Sequence, residues 1–416
     1  MKTILVTAYA IDPYKGSEDG MGWNFVLQIA RYHQVIVITR INNGPNIRKS
    51  IGEHPGMQDL FDRIRFLYFD WPYVLRWWKK GPLLSMIYFY GWQLSLAVWL
   101  LFKRPEADIV HNLNFHNDWT PSFLWILRKP FVWGPVGHHP KIPKAYLLPV
   151  YGRKEYRKDR LLWMMKSLFW HADPFLRLAV ARADTVICMN SQAPEALRLK
   201  KNRFHIIPSV ASEDVGGRPA DGFPTGNENR KGFTILSAGR FVPLKGFDLT
   251  IRSFAGFHRQ LTPEQQVSVK LVLVGSGPQK GLLEEIIAEE HIGASLQIIE
   301  WVPRAQLKDL YDLSHVFLFP SHEGAGMVVA EAMSRGLPVV CLDNAGPGEF
   351  IHPDSRLKVG YSTYAATVRD LTDKLIALHG RADYYQFESG LARQRFNDHF
   401  RWNNRGDQLK KIYTSL

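Results

Sequence analysis

The chain has 416 residues, 46% of them hydrophobic and 22% charged, with only two cysteines. Those values exclude a disordered, collagenous or coiled-coil protein, and Cys188 with Cys341 cannot supply a disulfide framework or a multi-cysteine zinc site. The formal net charge of +13 is uneven: residues 1–210 hold 29 Lys and Arg against 15 Asp and Glu, a net +14, and residues 211–416 hold 23 against 24, a net −1.

A field confined to one half predicts one anionic partner there: nucleic acid, an anionic membrane surface or an acidic substrate. The opening MKTILVTAYA alternates like a first strand and lacks the apolar run and cleavage site of a signal peptide. With two cysteines, a reducing cytosol is the expected compartment.

In chain order, the apolar runs of strand length in the first half are Thr3–Ala8, Gln34–Thr39, Ile64–Phe69, Asp108–Leu113, Phe131–Trp133 and Thr185–Met189. Most are continuously apolar, as strands buried on both faces of a parallel sheet must be. Between Ile64–Phe69 and Asp108–Leu113 lies Gly81–Phe102, 22 uncharged residues flanked by Lys79-Lys80 and Lys103-Arg104. Its length permits a transmembrane span. A single crossing would set its two flanking strands on opposite sides of a bilayer, so a helix partly buried and partly interfacial is preferred over a fully buried helix or a span. Upstream, WPYVLRWWKK mixes Trp71, Tyr73, Trp77 and Trp78 with Arg76, Lys79 and Lys80, the chemistry of a headgroup-level anchor.

The stretch Ser209–Lys231, rich in Gly, Pro and polar residues, marks a domain boundary. Beyond it the strands are Phe233–Ala238, Val269–Val274, Leu296–Val302, Val316–Phe319 and Pro338–Leu342, separated by helical patterns such as Phe247–Gln260, Lys280–Glu290 and Gly326–Ser334. Phe387–Tyr413 is helical in pattern. Two successive βα arrays predict two doubly wound parallel-sheet α/β domains with a ligand cleft at the carboxyl ends of their strands.

Chemistry concentrates in PSHEGAGMVVAEAMSRG, Pro320–Gly336. A strand ends at Phe319, a loop with Gly324 and Gly326 lets a backbone approach a ligand, and the following helix offers free N–H groups to phosphate or hydroxyl oxygens. Glu323 precedes the helix and Glu331 lies inside it. A rise of roughly 12 Å over eight residues suits the two ends of an extended ligand better than one proton-transfer pair. A second strand-to-glycine turn, FTILSAGRFVPLKG, brings Arg240 and Lys245, a forked donor and a point charge fit to clamp a diphosphate. A third, LVLVGSGP, contributes Gly275 and Gly277.

These pieces, in this order and spacing, resemble the retaining GT-B glycosyltransferases of family 4, the group 1 type. GRFVPLKGFDLTIRSF, LVLVGSGP, WVPRAQLKDLY and VFLFPSHEGAGMVVAEAMSRGLPVVCLDNAGPGEFI carry the resemblance over residues 233–351, with Glu323 and Glu331 as its Glu-x7-Glu signature. GSEDGMGWNFVLQIAR, ADIVHNLN and PFVWGPVG carry it over the first half. The resemblance implies a nucleotide-binding domain over 211–395, an acceptor domain over 1–210 with a hydrophobic segment at 71–104, and a helix over 396–416 crossing back.

It also implies a retaining, metal-independent hexosyltransferase with roles for particular residues. Glu323 bonds donor-sugar hydroxyls, Glu331 holds the ribose, and Gly324, Ala325, Gly326 and Met327 seat sugar and diphosphate together with Gly239 and Gly275. Arg240 and Lys245 neutralise the departing diphosphate, and Gly20 and Gly22 admit the first domain to the phosphate or the acceptor. The usual Gly-Gly-x-Gly is here Gly20-Met21-Gly22. A catalytic histidine is expected in Gly137-His138-His139, with His138 slightly favoured, and His111 is expected to be structural or to line the acceptor cleft.

No Asp-x-Asp metal motif is visible, so the expected cofactor set is empty beyond a nucleotide-sugar co-substrate. Partners are then a glycan or lipid-linked acceptor and an anionic membrane, reached from the cytoplasm at the inner face. An epimerase or phosphorylase of the same fold is the alternative, although an epimerase needs no hydrophobic anchor and no pyridoxal lysine can be assigned. A nucleic-acid binder fits the charge but shows no motif. A dehydrogenase lacks Gly-x-Gly-x-x-Gly after the first strand.

Overall fold

The computed structural model describes residues 1–113, 117–214, 232–300 and 302–416. They form two compact units, the first comprising 1–138, 162–209 and 402–416, the second 139–161 and 210–401.

The first unit is built on β1 (Thr3–Thr7), β2 (Gln34–Thr39), β3 (Ile64–Tyr68), β4 (Ile109–Asn112), β5 (Phe131–Val136), β6 (Thr185–Cys188) and β7 (Phe204–Ile206). They form one parallel sheet in the order β3-β2-β1-β4-β5-β6-β7. The second unit holds β8 (Phe233–Ala238), β9 (Val269–Val274), β10 (Leu296–Ile299), β11 (Val316–Phe319), β12 (Val339–Leu342) and β13 (Lys358–Val359), ordered β10-β9-β8-β11-β12-β13 and also parallel. In each sheet the order reverses beside the first strand, so the loops leaving β1 and β4, or β8 and β11, diverge and open a crevice at the carboxyl edge.

The strands expected at Gln34–Thr39, Phe233–Ala238, Val269–Val274 and Val316–Phe319 stand where the apolar runs put them. β5 runs three residues beyond Trp133, through Gly134-Pro135, whose apolar pattern is hidden. A Cβ at Gly134 would lie 2.2 Å from the Ile187 carbonyl, and the register shifts there. The edge strands β7 and β13 had no signal. Two of the three β7 residues are exposed, and β13 is two residues long. The last expected strand residues after Ile299 are irregular, and Trp301 lies outside the described residues.

The expected division at 1–210, 211–395 and 396–416 differs from the observed units at two places, each with a packing cause. Residues 139–161 belong to the second unit because Ile142, Tyr146 and Leu147 enter its core. There Tyr146 Oη lies 2.6 Å from Thr367 Oγ1, and Tyr151 donates to Asp248 at 2.5 Å. The return begins at Trp402 rather than 396, since Phe396 and Phe400 are still in the second core and the Ser212 N–H bonds the Phe400 carbonyl at 2.9 Å. The helical pattern of Phe387–Tyr413 is two helices, Ala382–His399 and Trp402–Ser415. Most of the expected boundary, 215–231, lies outside the described residues.

The terminal helix Trp402–Ser415 packs on the first-unit helix Ser17–Ala30. Its anchor is polar. Tyr413 Oη donates to His111 Nδ1 at 2.6 Å, while His111 Nε2 donates to the Gly134 carbonyl at 2.8 Å. A carbonyl can only accept, which fixes the tautomer. His111 is fully buried, and burial pushes its pKa down to about 4. It is a structural residue.

The segment Gly81–Lys103 is one helix, long and apolar enough over Leu84–Lys103 to cross a membrane. Both flanking strands, β3 and β4, lie in the same sheet, and one face, with Tyr88, Phe89, Trp92, Leu96 and Leu100, is buried in that unit's core. The opposite face leaves Ile87, Leu94, Val98 and Leu101 exposed, ending at Phe102, which is 82% exposed. A fully buried helix is therefore corrected by the exposed face. The upstream aromatic anchor also divides: Trp71 and Trp78 pack on the core, and Tyr73 and Trp77 are exposed.

Candidate active site

The loops leaving β8 and β11 carry the polar centre of the second unit. Lys245 Nζ donates to both carboxylate oxygens of Glu323, at 2.7 and 2.6 Å, and lies 5.1 Å from the Phe319 ring centroid. Glu323 is 6% exposed. An ion pair this far from water is stable only with its bonds satisfied, and here the ammonium meets both oxygens.

Backbone contacts hold the two loops together. The His322 N–H and the Ser321 hydroxyl both donate to the Leu244 carbonyl, at 2.8 and 3.1 Å. Gly246, at φ 66°, tolerates no side chain, because a Cβ would stand 2.1 Å from the Pro320 carbonyl. Behind them, a Cβ on Gly275 (φ 151°) would stand 1.9 Å from the Gly239 carbonyl. Gly275 thus lets its loop approach the Gly239 backbone.

The turn after Glu323 reaches Gly326, which caps the helix Met327–Ser334 without a side-chain bond and so leaves its first N–H groups available. Glu331, two turns on, accepts from the Tyr311 hydroxyl at 3.2 Å. Arg240 stands exposed on the β8 loop. The Gly324 N–H donates to His139 Nδ1 at 3.1 Å, so His139 is fixed against this same loop.

Residues 222–381 match the family of glycosyl transferases group 1. The match takes in β8 to β13 and the turns that carry Arg240, Lys245, Glu323 and Glu331. The uncharacterized glycosyltransferase YqgM of Bacillus subtilis is 26% identical over 204 residues, 48% of this chain and 53% of that protein. The amylovoran biosynthesis glycosyltransferase AmsD of Erwinia amylovora is 32% identical over 127 residues, 30% of this chain and 34% of AmsD. The chain thus spans about half or less of the length of these two relatives. The solved structure of Anabaena HepE in complex with UDP and glucose aligns along 100% of both chains, with a TM-score of 0.61 at 15% identity. That likeness gives the fold, GT-B, with its two parallel-sheet α/β domains.

Within the matched stretch, Lys245 and Glu323 are in contact, Arg240 is on the same loop as Lys245, and Glu331 sits further along the helix with Tyr311. Ala325 and Met327 are half-buried around Gly326. Residues without a sequence signal support this arrangement. His322 is buried, pushed down to about 3 by burial, with Nδ1 2.9 Å from the Tyr361 hydroxyl. Asn344 donates to the Ser321 carbonyl at 2.7 Å and accepts from the Gly346 N–H at 3.0 Å.

In the first unit, Gly20 and Gly22 do not form a loop. Both are buried inside the helix Ser17–Ala30, and a Cβ on Gly20 would lie 2.3 Å from the Lys15 carbonyl. The missing side chain at Gly20 leaves room for the turn that enters this helix. His138 Nδ1 is 2.6 Å from Asp118 Oδ2, and its ring packs beside those of Trp163 and Trp170, which also touch each other. A carboxylate on Nδ1 fixes the ring and leaves Nε2 as the acceptor. Asp118 had no sequence signal, since it is distant along the chain from His138.

Proposed function

We propose that this chain is a retaining glycosyltransferase that moves a sugar from a nucleotide-diphosphate sugar to a glycan or lipid-linked acceptor, without a metal, in the synthesis of a surface polysaccharide or glycolipid. The observation that carries the reading is the Lys245–Glu323 pair at the β8/β11 crevice, beside the open helix start at Gly326. A sugar diphosphate has hydroxyls for a carboxylate and phosphate oxygens for an ammonium, a guanidinium and free N–H groups. HepE, solved with UDP and glucose, and AmsD, named for amylovoran biosynthesis, support the donor class and the polysaccharide context.

In transfer, the bond from the anomeric carbon to the diphosphate oxygen breaks and its electron pair stays on that oxygen. The acceptor hydroxyl oxygen bonds the anomeric carbon and gives up its proton. Arg240, Lys245 and the helix N–H groups stabilise the charge growing on the leaving oxygen, which lowers the barrier. Glu323 holds the sugar hydroxyls, Glu331 the ribose, and the backbone of Gly324–Met327 seats sugar and diphosphate. His138, oriented by Asp118, is the histidine proposed as the catalytic base.

The chain is further proposed to work from the cytoplasm at the inner face of the cell membrane. Exposed Ile87, Val98 and Phe102, with exposed Tyr73, Trp77 and Lys80 before the helix and Lys103 and Arg104 at its far end, support that location. The test is transfer from a panel of nucleotide sugars in the presence of bacterial lipid and glycan acceptors. Transfer that falls at least about 100-fold in Glu323→Gln, with an unchanged melting temperature, supports the reading. Full turnover in that variant, or conversion of the donor to its epimer with no acceptor present, contradicts it.

A further inference from the structure

In the first unit, a second polar centre stands at the carboxyl ends of three adjacent strands. Tyr9 follows β1, Arg40 follows β2, and Asp70 follows β3, with Arg76 and Lys79 on the segment leading into the helix Gly81–Lys103 and Tyr88 on that helix. Arg40 Nε donates to the Tyr9 carbonyl at 2.9 Å, and its Cζ lies 4.1 Å from the Tyr9 ring centroid. Lys79 Nζ donates to the Tyr9 hydroxyl at 2.7 Å and stands 4.3 Å from the Tyr88 ring centroid. Arg76 pairs with Asp70 Oδ2 at 2.7 Å, and the Tyr88 hydroxyl donates to the same carboxylate.

Three cations therefore gather beside Asp70, whose carboxylate already accepts from Arg76 and Tyr88, and a second carboxylate, Asp19, lies near Arg40. An excess of one positive charge remains in partial burial. Arg76 Nε is buried without a hydrogen-bond partner. Burial, and then the nearby Arg40 charge, push Lys79 down to about 8, with Asp70 opposing. Like charges held together out of water are costly unless a counter-ion joins them. Guanidinium forks and an ammonium converging at a strand edge match the tetrahedral oxygens of a phosphate. The exposed Tyr73, Val74, Leu75 and Trp77 lie on the same connecting segment, so a phosphate bearing an apolar chain would find both of its chemistries there.

We propose that Arg40, Arg76 and Lys79 form a seat for a phosphate-class anion, the group by which the acceptor is held on the first unit. Its assignment to an acceptor rests on the transferase reading; the anion site itself does not.

The test follows the Lys79 side-chain resonance in full-length protein carrying 13C-labelled lysine, with the signal assigned by K79Q. Inorganic phosphate is one arm. Vesicles of phosphatidylglycerol, compared with phosphatidylcholine, are the other. Phosphate should raise the Lys79 pKa by about one unit or more, and Arg40→Gln should weaken that binding about tenfold or more. A response to anionic vesicles alone, lost in Arg40→Gln, sustains the seat with lipid as the source. Silence of Lys79 in both arms, or undiminished binding in Arg40→Gln, overturns it. Melting shifts with nucleoside diphosphates on the same samples report the second unit separately, so failure of this seat and failure of the donor site are distinguishable.

Discussion

Lys245 gives both of its strong contacts to one carboxylate, and that fixes how the site can respond to change. Lys245→Ala leaves Glu323 buried with no counter-charge, a loss on the order of 3 kcal/mol, visible as a lowered urea midpoint. Glu323→Gln keeps an acceptor for the ammonium and should cost far less, so the activity loss expected of it reports the chemistry. Tyr413→Phe removes one buried bond to His111 and should cost about 1 to 2 kcal/mol in urea titration, with no change in diphosphate binding. Glu323, Lys245 and Arg240 were legible as candidates because each follows an apolar strand at a glycine-containing turn, Gly239 before the two cations and Gly324 after the carboxylate. Asp118, His322 and Asn344 were not, since their roles depend on His138, Tyr361 and Ser321, which the fold brings near. Gly20 was read as admitting the first domain to the phosphate or the acceptor, and its missing side chain also accommodates the Lys15 carbonyl.

The helix Gly81–Lys103 carries two apolar faces with different duties. Its inner face is fastened by Trp92 Nε1 to the Phe69 carbonyl at 3.1 Å and by Tyr90 to Asp173 at 3.0 Å. Substitutions on the outer face, such as Ile87→Ser with Val98→Ser, should change stability by no more than about 0.5 kcal/mol each. They should also weaken sedimentation with anionic vesicles severalfold. Equal vesicle binding by the double variant would remove this face from any membrane role. An uncharged run of 22 residues announced the helix, but its composition could not say which face the sheet covers. That depended on Trp71, whose ring packs where a side chain at Gly91 would stand, 2.8 Å away. Likewise β7 and β13 escaped notice because edge strands need no continuous apolar run.

For the molecule as a whole, buried neutral histidines set an acid limit. His111 and His322 have folded pKa values of about 4 and about 3, against an ordinary 6.5. Both therefore favour the folded state fully above pH 6.5, and that contribution is lost as pH falls through 6.5 toward 4 and 3. His111 alone accounts for a loss on the order of 3 kcal/mol across that window. Urea midpoints measured from pH 7 to pH 4 should fall steadily; a flat profile contradicts the burial assigned to these rings. The two βα arrays were legible except at the edge strands β7 and β13, and the assignment of 139–161 and 402–416 to their units was not, because it rests on single aromatic residues such as Tyr146 and Tyr413. We propose that the second unit holds a nucleoside diphosphate between its glycine turns and the cations of the β8 loop. Melting curves with UDP, GDP and ADP, for the parent chain and Arg240→Ala, test it most directly. At least one diphosphate should raise the melting temperature of the parent, and the exposed Arg240 should be lost with little effect on the ligand-free curve but a clear loss of that shift. No stabilisation by any of the three, or an equal shift in Arg240→Ala, would contradict the account.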